Sequence, residues 1–245
     1  MRKFTVILLA MFPWYGGVLP VRAEKPQPAY DSIDRYETRR LEGWKLLINK
    51  SLLADEQREL RDKTLRVLGD QLFQITRVVP AEALAKLRKI PIWVELKESH
   101  HPCMCYHPGA GWLREHGMNP AKAGAVEIAN ARNFNSWTLQ QPWMVLHELA
   151  HGYHHQILGF ENAEVQACYD AAVSAKLYDS VLNGRANKVR HYALNNAKEY
   201  FAEMTEAYFG TNDFYPFVRA ELKKVDPRMF DLLEKVWGVR KAAAK

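Results

Sequence analysis

The run from Pro142 to Gly159, "PWMVLHELAHGYHHQILG", places His147, Glu148, His151, His154 and His155 within nine residues of an otherwise apolar stretch. Proline suits a first helical position and Gly159 a C-terminal stop, so the spacing predicts a helix over Pro142–Leu158. His147 and His151, four apart, then project from one face about one turn from each other, where both reach a single tetrahedral Zn2+. Glu148 lies roughly 100° round the helix from His147. That offset sets its carboxylate beside the metal, where it can take a proton from a bound water.

The opening, "MRKFTVILLAMFPWYGGVLPVRA", has basic Arg2 and Lys3, an apolar run and a Val21-Arg22-Ala23 end. It reads as a secretory signal peptide over residues 1–23, so the expected location is secreted or periplasmic. Pro13, Gly16, Gly17 and Pro20 interrupt the apolar run, and no uninterrupted span of about 20 apolar residues follows. Stable membrane insertion after cleavage is not expected. Residues 24–36 read as a flexible lead-in, and 37–245 as one domain with a substantial core. The net charge of +6 includes three leader bases and no leader acid, leaving +3 for the rest, too mild to argue for nucleic acid. Cys103, Cys105 and Cys168 are too few for a disulfide framework. In an oxidising compartment Cys168 is expected to bridge Cys103 or Cys105, since a bridge within "CMC" is strained.

Along the chain, Gly43 separates two short extended runs and predicts a hairpin. Leu60, Leu65, Leu68, Leu72, Ile75 and Val79 recur at helical spacing, predicting a long amphipathic helix over Asp55–Val79. A short helix follows at Ala81–Arg88. The alternation in "PIWVELK" suits a half-buried strand, and "AVEIANARNF" a second. Between them a loop rich in His, Cys, Pro and Gly runs from Ser99 to about Gly111. Further helices are expected at Ala163–Leu177, Asn196–Phe209, Phe214–Lys223 and Pro227–Val236. Mixed elements followed by a helical half favour an α+β fold.

A catalytic zinc takes three protein ligands and leaves one position for water. The metzincin extension needs Gly at 154 and His at 157, but the chain has His154 and Ile157. Asp170 is one acidic candidate, on a helix that otherwise reads as having a solvated acid. The other lies in "NNAKEYFAEMTEAYFG", where Glu199, Glu203 and Glu206 share one helical face with only Lys198 nearby. Such a bare carboxylate stripe is explained if it meets a cation, one member binding zinc and another orienting a ligand histidine through its ring N–H.

Glu-Tyr-Phe-Ala-Glu, 199–203, at this distance after His-Glu-x-x-His, resembles the gluzincin pattern of the lethal-factor-type metallopeptidases, which include the Pro-Pro endopeptidases. "YHPGAGWL", "QPWMVLHELAHGYHHQ" and "NDFYPF" are similar to an uncharacterised group of exported bacterial proteins of this type. The resemblance implies a zincin-like α+β domain with a small mixed sheet, an active-site helix and a mostly helical C-terminal half. It implies Zn2+ held by His147, His151 and Glu199, with Glu203 supporting a ligand, Glu148 as general base and Tyr192 stabilising the transition state. A peptide or protein substrate follows. Strand Ala125–Asn130, just upstream of the active-site helix, is the expected edge for pairing with extended substrate.

Other clusters admit two readings each. His154 and His155 are exposed helix-end residues or a substrate subsite. "SHHPCMCYHP" carries His100, His101, Cys103, Cys105 and His107, which make a second structural zinc or a loop anchored by one disulfide to Cys168. "GTND", 210–213, is a helix stop. For the whole chain the alternatives to a peptidase are a non-catalytic zincin-like binding module, and a zinc amidase or esterase acting on cell-wall material.

Overall fold

Strands β1, Tyr36–Leu41, and β2, Trp44–Asn49, form the expected hairpin. Its two turn residues, Glu42 and Gly43, hold φ of 49° and 91°, the left-handed pair that a two-residue turn needs to follow the twist of its strands. The structure, a computed structural model, describes residues 30–239, so the leader at 1–23 lies outside the described residues. Residues 30–36, expected within the flexible lead-in, are tied to the sheet. Asp31 accepts from Asn49 and Asn119, and the Tyr36 hydroxyl donates to Glu95 at 2.7 Å.

After a short helix α1, Lys50–Leu53, and a 3-10 turn at Asp55–Gln57, the long amphipathic helix α2 spans Arg58–Val78. Leu68, Leu72 and Ile75 form its buried stripe. Helix α3, Ala81–Leu87, leads into strand β3, Ile92–Val94. Strand β4, Met104–His107, lies inside the stretch expected as a loop. Helix α4, Ala110–Glu115, and a 3-10 turn at Pro120–Lys122 precede strand β5, Ala125–Ile128.

The sheet order is β1-β2-β3-β5-β4, with β2, β3 and β5 parallel and both margins antiparallel. Two expectations change here. Strand β3 is buried on both faces, Trp93 being 2% exposed, because a parallel strand in mid-sheet is covered above and below. Strand β5 ends at Ile128, where Asn130 caps the helix α5, Ala131–Trp137, and it is an interior strand; the sheet edge is β4. Leu46, Ile48, Ile92, Val94, Val126 and Ile128 face the helices and form the floor of the main core.

Helix α6, Met144–Tyr153, starts two residues after Pro142 and continues as a π-helical turn, His154–Leu158, up to Gly159 at φ 81°. Its first turn is held by Gln71 of α2, whose Oε1 accepts from the Val145 N–H at 3.2 Å, covering one of the donors that a helix start leaves open. Against β4 it makes contact through Gly152, where a Cβ would fall 2.6 Å from Ile90 Cδ1 and 3.2 Å from the Tyr106 ring.

Helix α7 spans Ala163–Ser174, and a small unforeseen ladder pairs β6, Val181–Leu182, with β7, Lys188–Val189. Helix α8, Ala197–Phe209, is almost wholly buried beside α6. Helices α9, Arg219–Val225, and α10, Pro227–Val236, close the domain. The helix expected from Phe214 begins only at Arg219, where the Glu221 carboxylate reaches back to the N–H groups of Phe217 and Val218. All three cysteines are free. The Cys103 thiol packs on Met144 sulfur at 3.6 Å, while Cys168 lies near Asp226 and Arg228, so the expected bridge is absent.

Candidate metal centre

Helices α6 and α8 bring three donor atoms to one point. His147 Nε2 and His151 Nε2 are 3.1 Å apart, and Glu199 Oε2 is 3.2 Å from each. A tetrahedral ion with bonds of about 2.0–2.1 Å keeps neighbouring N and O ligands roughly 3.3 Å apart, so the triangle has the right size for one. The imidazole planes cross at 81°, which lets both lone pairs aim inward.

Each donor is placed by local structure. The i, i+4 spacing on α6 aligns the rings. Asn196 caps α8 by accepting from the N–H groups of Lys198 and Glu199 at 2.9 and 3.0 Å, which fixes Glu199 in the first turn, where the helix dipole favours a carboxylate. Glu206 Oε1 accepts from His147 Nδ1 at 2.7 Å, and this leaves the Nε2 lone pair of the neutral ring free for a cation.

The electrostatics demand positive charge at the centre. Burial opposes an imidazolium at His147, but Glu199 and Glu206 outweigh it and raise its pKa well above the ordinary value. Burial likewise works against the Glu199 carboxylate, and the two histidines overcome it and lower its pKa. Two imidazoles and a carboxylate, buried and converging, make a donor set that fits Zn2+.

Glu203, from the same stripe, has a different setting. Its Oε1 is 3.7 Å from His147 Nδ1, beyond hydrogen-bond range, and its Oε2 has no hydrogen-bond partner among the described residues. Burial and the neighbouring Glu206 raise its pKa well above the carboxylate range. The support for His147 therefore comes from Glu206, the third member of the stripe. Asp170 is on the outer face of α7, accepting from Gln166, far from any role at this centre.

Glu148 and Tyr192 border the open side. Two adjoining hollows, of about 240 and 350 Å³, share Met104, His147, Glu148 and Tyr192 in their walls, so the centre sits at the waist of one cleft beside the β4 edge. Tyr192 begins a 3-10 turn, Tyr192–Asn195, capped by the buried His191, whose Nδ1 accepts from the Ala193 N–H at 3.0 Å. Its ring is 46% exposed and 6.5 Å from that of His147. Trp137, Gln141, Asp213 and Phe214 line the smaller hollow, a role that the sequence analysis assigned to none of them. The Asp213 carboxyl is pushed up to about 6 by burial and by Glu206.

His154 and His155 are not an exposed pair. His154 is wholly buried against Phe160 and Phe201, and burial lowers its pKa to about 4. His155 Nδ1 is 2.8 Å from the Tyr106 hydroxyl, and its ring stacks on Phe160.

Fold and site together define an α+β protein with a metal-competent His-His-Glu cluster in a solvent-open cleft. Its sequence matches the family described as anthrax toxin lethal factor, N- and C-terminal domain, over residues 56–236, and the chain belongs to that family. The match spans both α6 and α8 and so includes every donor of the cluster. No curated protein and no solved structure matches the chain.

Proposed function

We propose that the chain is an exported zinc metallopeptidase of gluzincin type, with His147, His151 and Glu199 on the metal. The observation that carries this reading is the triangle of His147 Nε2, His151 Nε2 and Glu199 Oε2, at 3.1 to 3.2 Å, with Glu148 beside it in an open cleft. Membership of the lethal-factor family supports it, and export rests on the leader read in residues 1–23.

Zn2+ held by His147, His151 and Glu199 would supply Lewis-acid chemistry, acidifying a water and polarising a carbonyl. Glu148 accepts the proton of the attacking water and delivers it to the leaving amine. The Tyr192 hydroxyl, held at the cleft mouth by the His191-capped turn, donates to the oxyanion as it forms. Glu206 fixes the tautomer and orientation of His147. Strand β4, whose outer margin is unpaired in the sheet, offers main-chain groups to an extended peptide, with Met104 lying in both halves of the cleft. An open groove along a strand edge favours peptide over a compact ester or amide substrate. A binding module that used zinc only for structure has no need of Glu148.

Digestion of a peptide library by the purified protein, with Glu148→Gln as control, tests the proposal. Cleavage in the wild type and none in the variant supports it. A fully zinc-loaded wild type that cleaves no peptide overturns it.

A further inference from the structure

The outer face of the sheet carries a second group of metal-binding side chains that the proposed reaction does not use. In the register joining β2 to β4, Leu47, Trp93, Glu127 and Cys105 lie side by side. Leu47 and Trp93 belong to a small apolar cluster, so this row turns from apolar to polar as it nears the edge. His107, two residues after Cys105, shares its face. The His107 Nε2 is 3.5 Å from Cys105 Sγ and 2.6 Å from Glu127 Oε2. His101, from the segment that enters β4, brings a third donor. Its ring centroid is 5.5 Å from that of His107, and its Nε2 is buried with no hydrogen-bond partner among the described residues.

We propose that His101, Cys105 and His107 form a second metal site, for a thiophilic d-block cation such as Zn2+, on the rim of the cleft. Ligand atoms of the three residues all lie within 4.8 Å of one another. Zinc bonds of about 2.3 Å to sulfur and 2.0–2.1 Å to nitrogen place tetrahedral S and N ligands roughly 3.5 Å apart. Cys105 Sγ and His107 Nε2 already stand at 3.5 Å. A buried imidazole nitrogen with no partner is costly, and a cation here gives the His101 ring one.

Loading forms a metal–sulfur bond, releases the Cys105 thiol proton to solvent and transfers no electron. Without a cation the thiol is no free nucleophile, because burial and the carboxylates of Glu148 and Glu127 hold it protonated. Binding through Nε2 exchanges the His107 bond to Glu127 for one to the metal, and Glu127 keeps its bond to the buried Lys122 through the other oxygen. Two imidazoles and a thiolate are a softer set than the His-His-Glu cluster, so the two sites rank cations differently. His101 and Cys105 border the same hollow as Glu148 and His151. An ion bound there pins residues 101–105 beside the substrate-receiving edge.

Titration of the metal-free full-length chain with Co2+ tests the site, because a thiolate ligand adds an intense near-ultraviolet charge-transfer band. The wild type is expected to bind two ions and show the band. Cys105→Ser should lose the band and one ion, while Glu199→Ala should keep the band and lose the other ion, so failure of the peptidase centre is read separately. Absence of the band in the wild type, or a band that survives Cys105→Ser, overturns the proposal. The wild-type spectrum decides this even if a variant fails to fold.

Discussion

Glu206 Oε1 stands 2.7 Å from His147 Nδ1, whereas Glu203, one turn earlier on α8, comes no nearer than 3.7 Å. The carboxylate that can accept the His147 N–H is thus seven residues after Glu199, while burial and Glu206 raise the pKa of the one four residues after it, whose Oε2 has no hydrogen-bond partner among the described residues. Loss of a carboxylate that orients a ligand histidine typically costs about 10–100-fold in metal affinity. Glu206→Ala is expected to weaken zinc binding by that order, measured by competition with a chromophoric chelator, and Glu203→Gln by much less. A larger loss in Glu203→Gln would reverse the assignment.

The choice of third ligand is open to the same measurement. Glu199→Ala removes one corner of the donor triangle and should release zinc during dialysis, while Asp170→Ala, on the solvent side of α7, should retain it. Equal zinc content in both variants would sever Glu199 from the metal.

Tyr192 is half in solvent, so its hydroxyl can be removed with little effect on folding. Loss of one oxyanion donor typically lowers kcat about 10²–10³-fold. Tyr192→Phe is expected to show a fall of that order in kcat, with KM and zinc content near wild type. A change confined to KM would make Tyr192 a substrate-binding residue instead.

The residues that carry strong periodic or motif signals were legible in the sequence. Helices α2, α6 and α8 are long enough for spacing to declare them, and the His147, His151 and Glu199 side chains meet where that spacing allows. The edge strand β4 was hidden because it is four residues long, and its outward row, Cys105 and His107, is polar, with His107 buried against Glu127, a partner distant in sequence. The same tertiary burial turned His154 from an expected surface residue into a core one. Glu203 and Glu206 share a helical face, and only the approach of α6 distinguishes them.

His154 links that burial to acid stability. Its ring nitrogens have no hydrogen-bond partners among the described residues, and burial lowers its folded pKa to about 4 from 6.5. A basic group with a depressed folded pKa favours the unfolded chain as it takes up a proton there. Stability is therefore fully present above pH 6.5 and falls as pH drops toward 4, by at most about 1.4 kcal/mol per pH unit for this group. His154→Leu should flatten that limb in chemical denaturation at several pH values. An unchanged slope would show that the ring is not buried neutral.

Gly152 tests whether the cleft depends on how closely α6 lies against β4. A Cβ at this position would fall 2.6 Å from Ile90 Cδ1 and 3.2 Å from the Tyr106 ring, and Tyr106 is itself tied by its hydroxyl to His155 and Gln156. Overpacking of this kind typically costs about 1–3 kcal/mol. Because His151 precedes Gly152 and Tyr106 belongs to the edge strand, relief of the clash must shift the metal ligands relative to that edge. Gly152→Ala should lower both the denaturation midpoint and kcat/KM, and adding Ile90→Val, which removes the nearest methyl, should recover part of each. Recovery of stability without activity would mean that the α6–β4 spacing does not set the cleft.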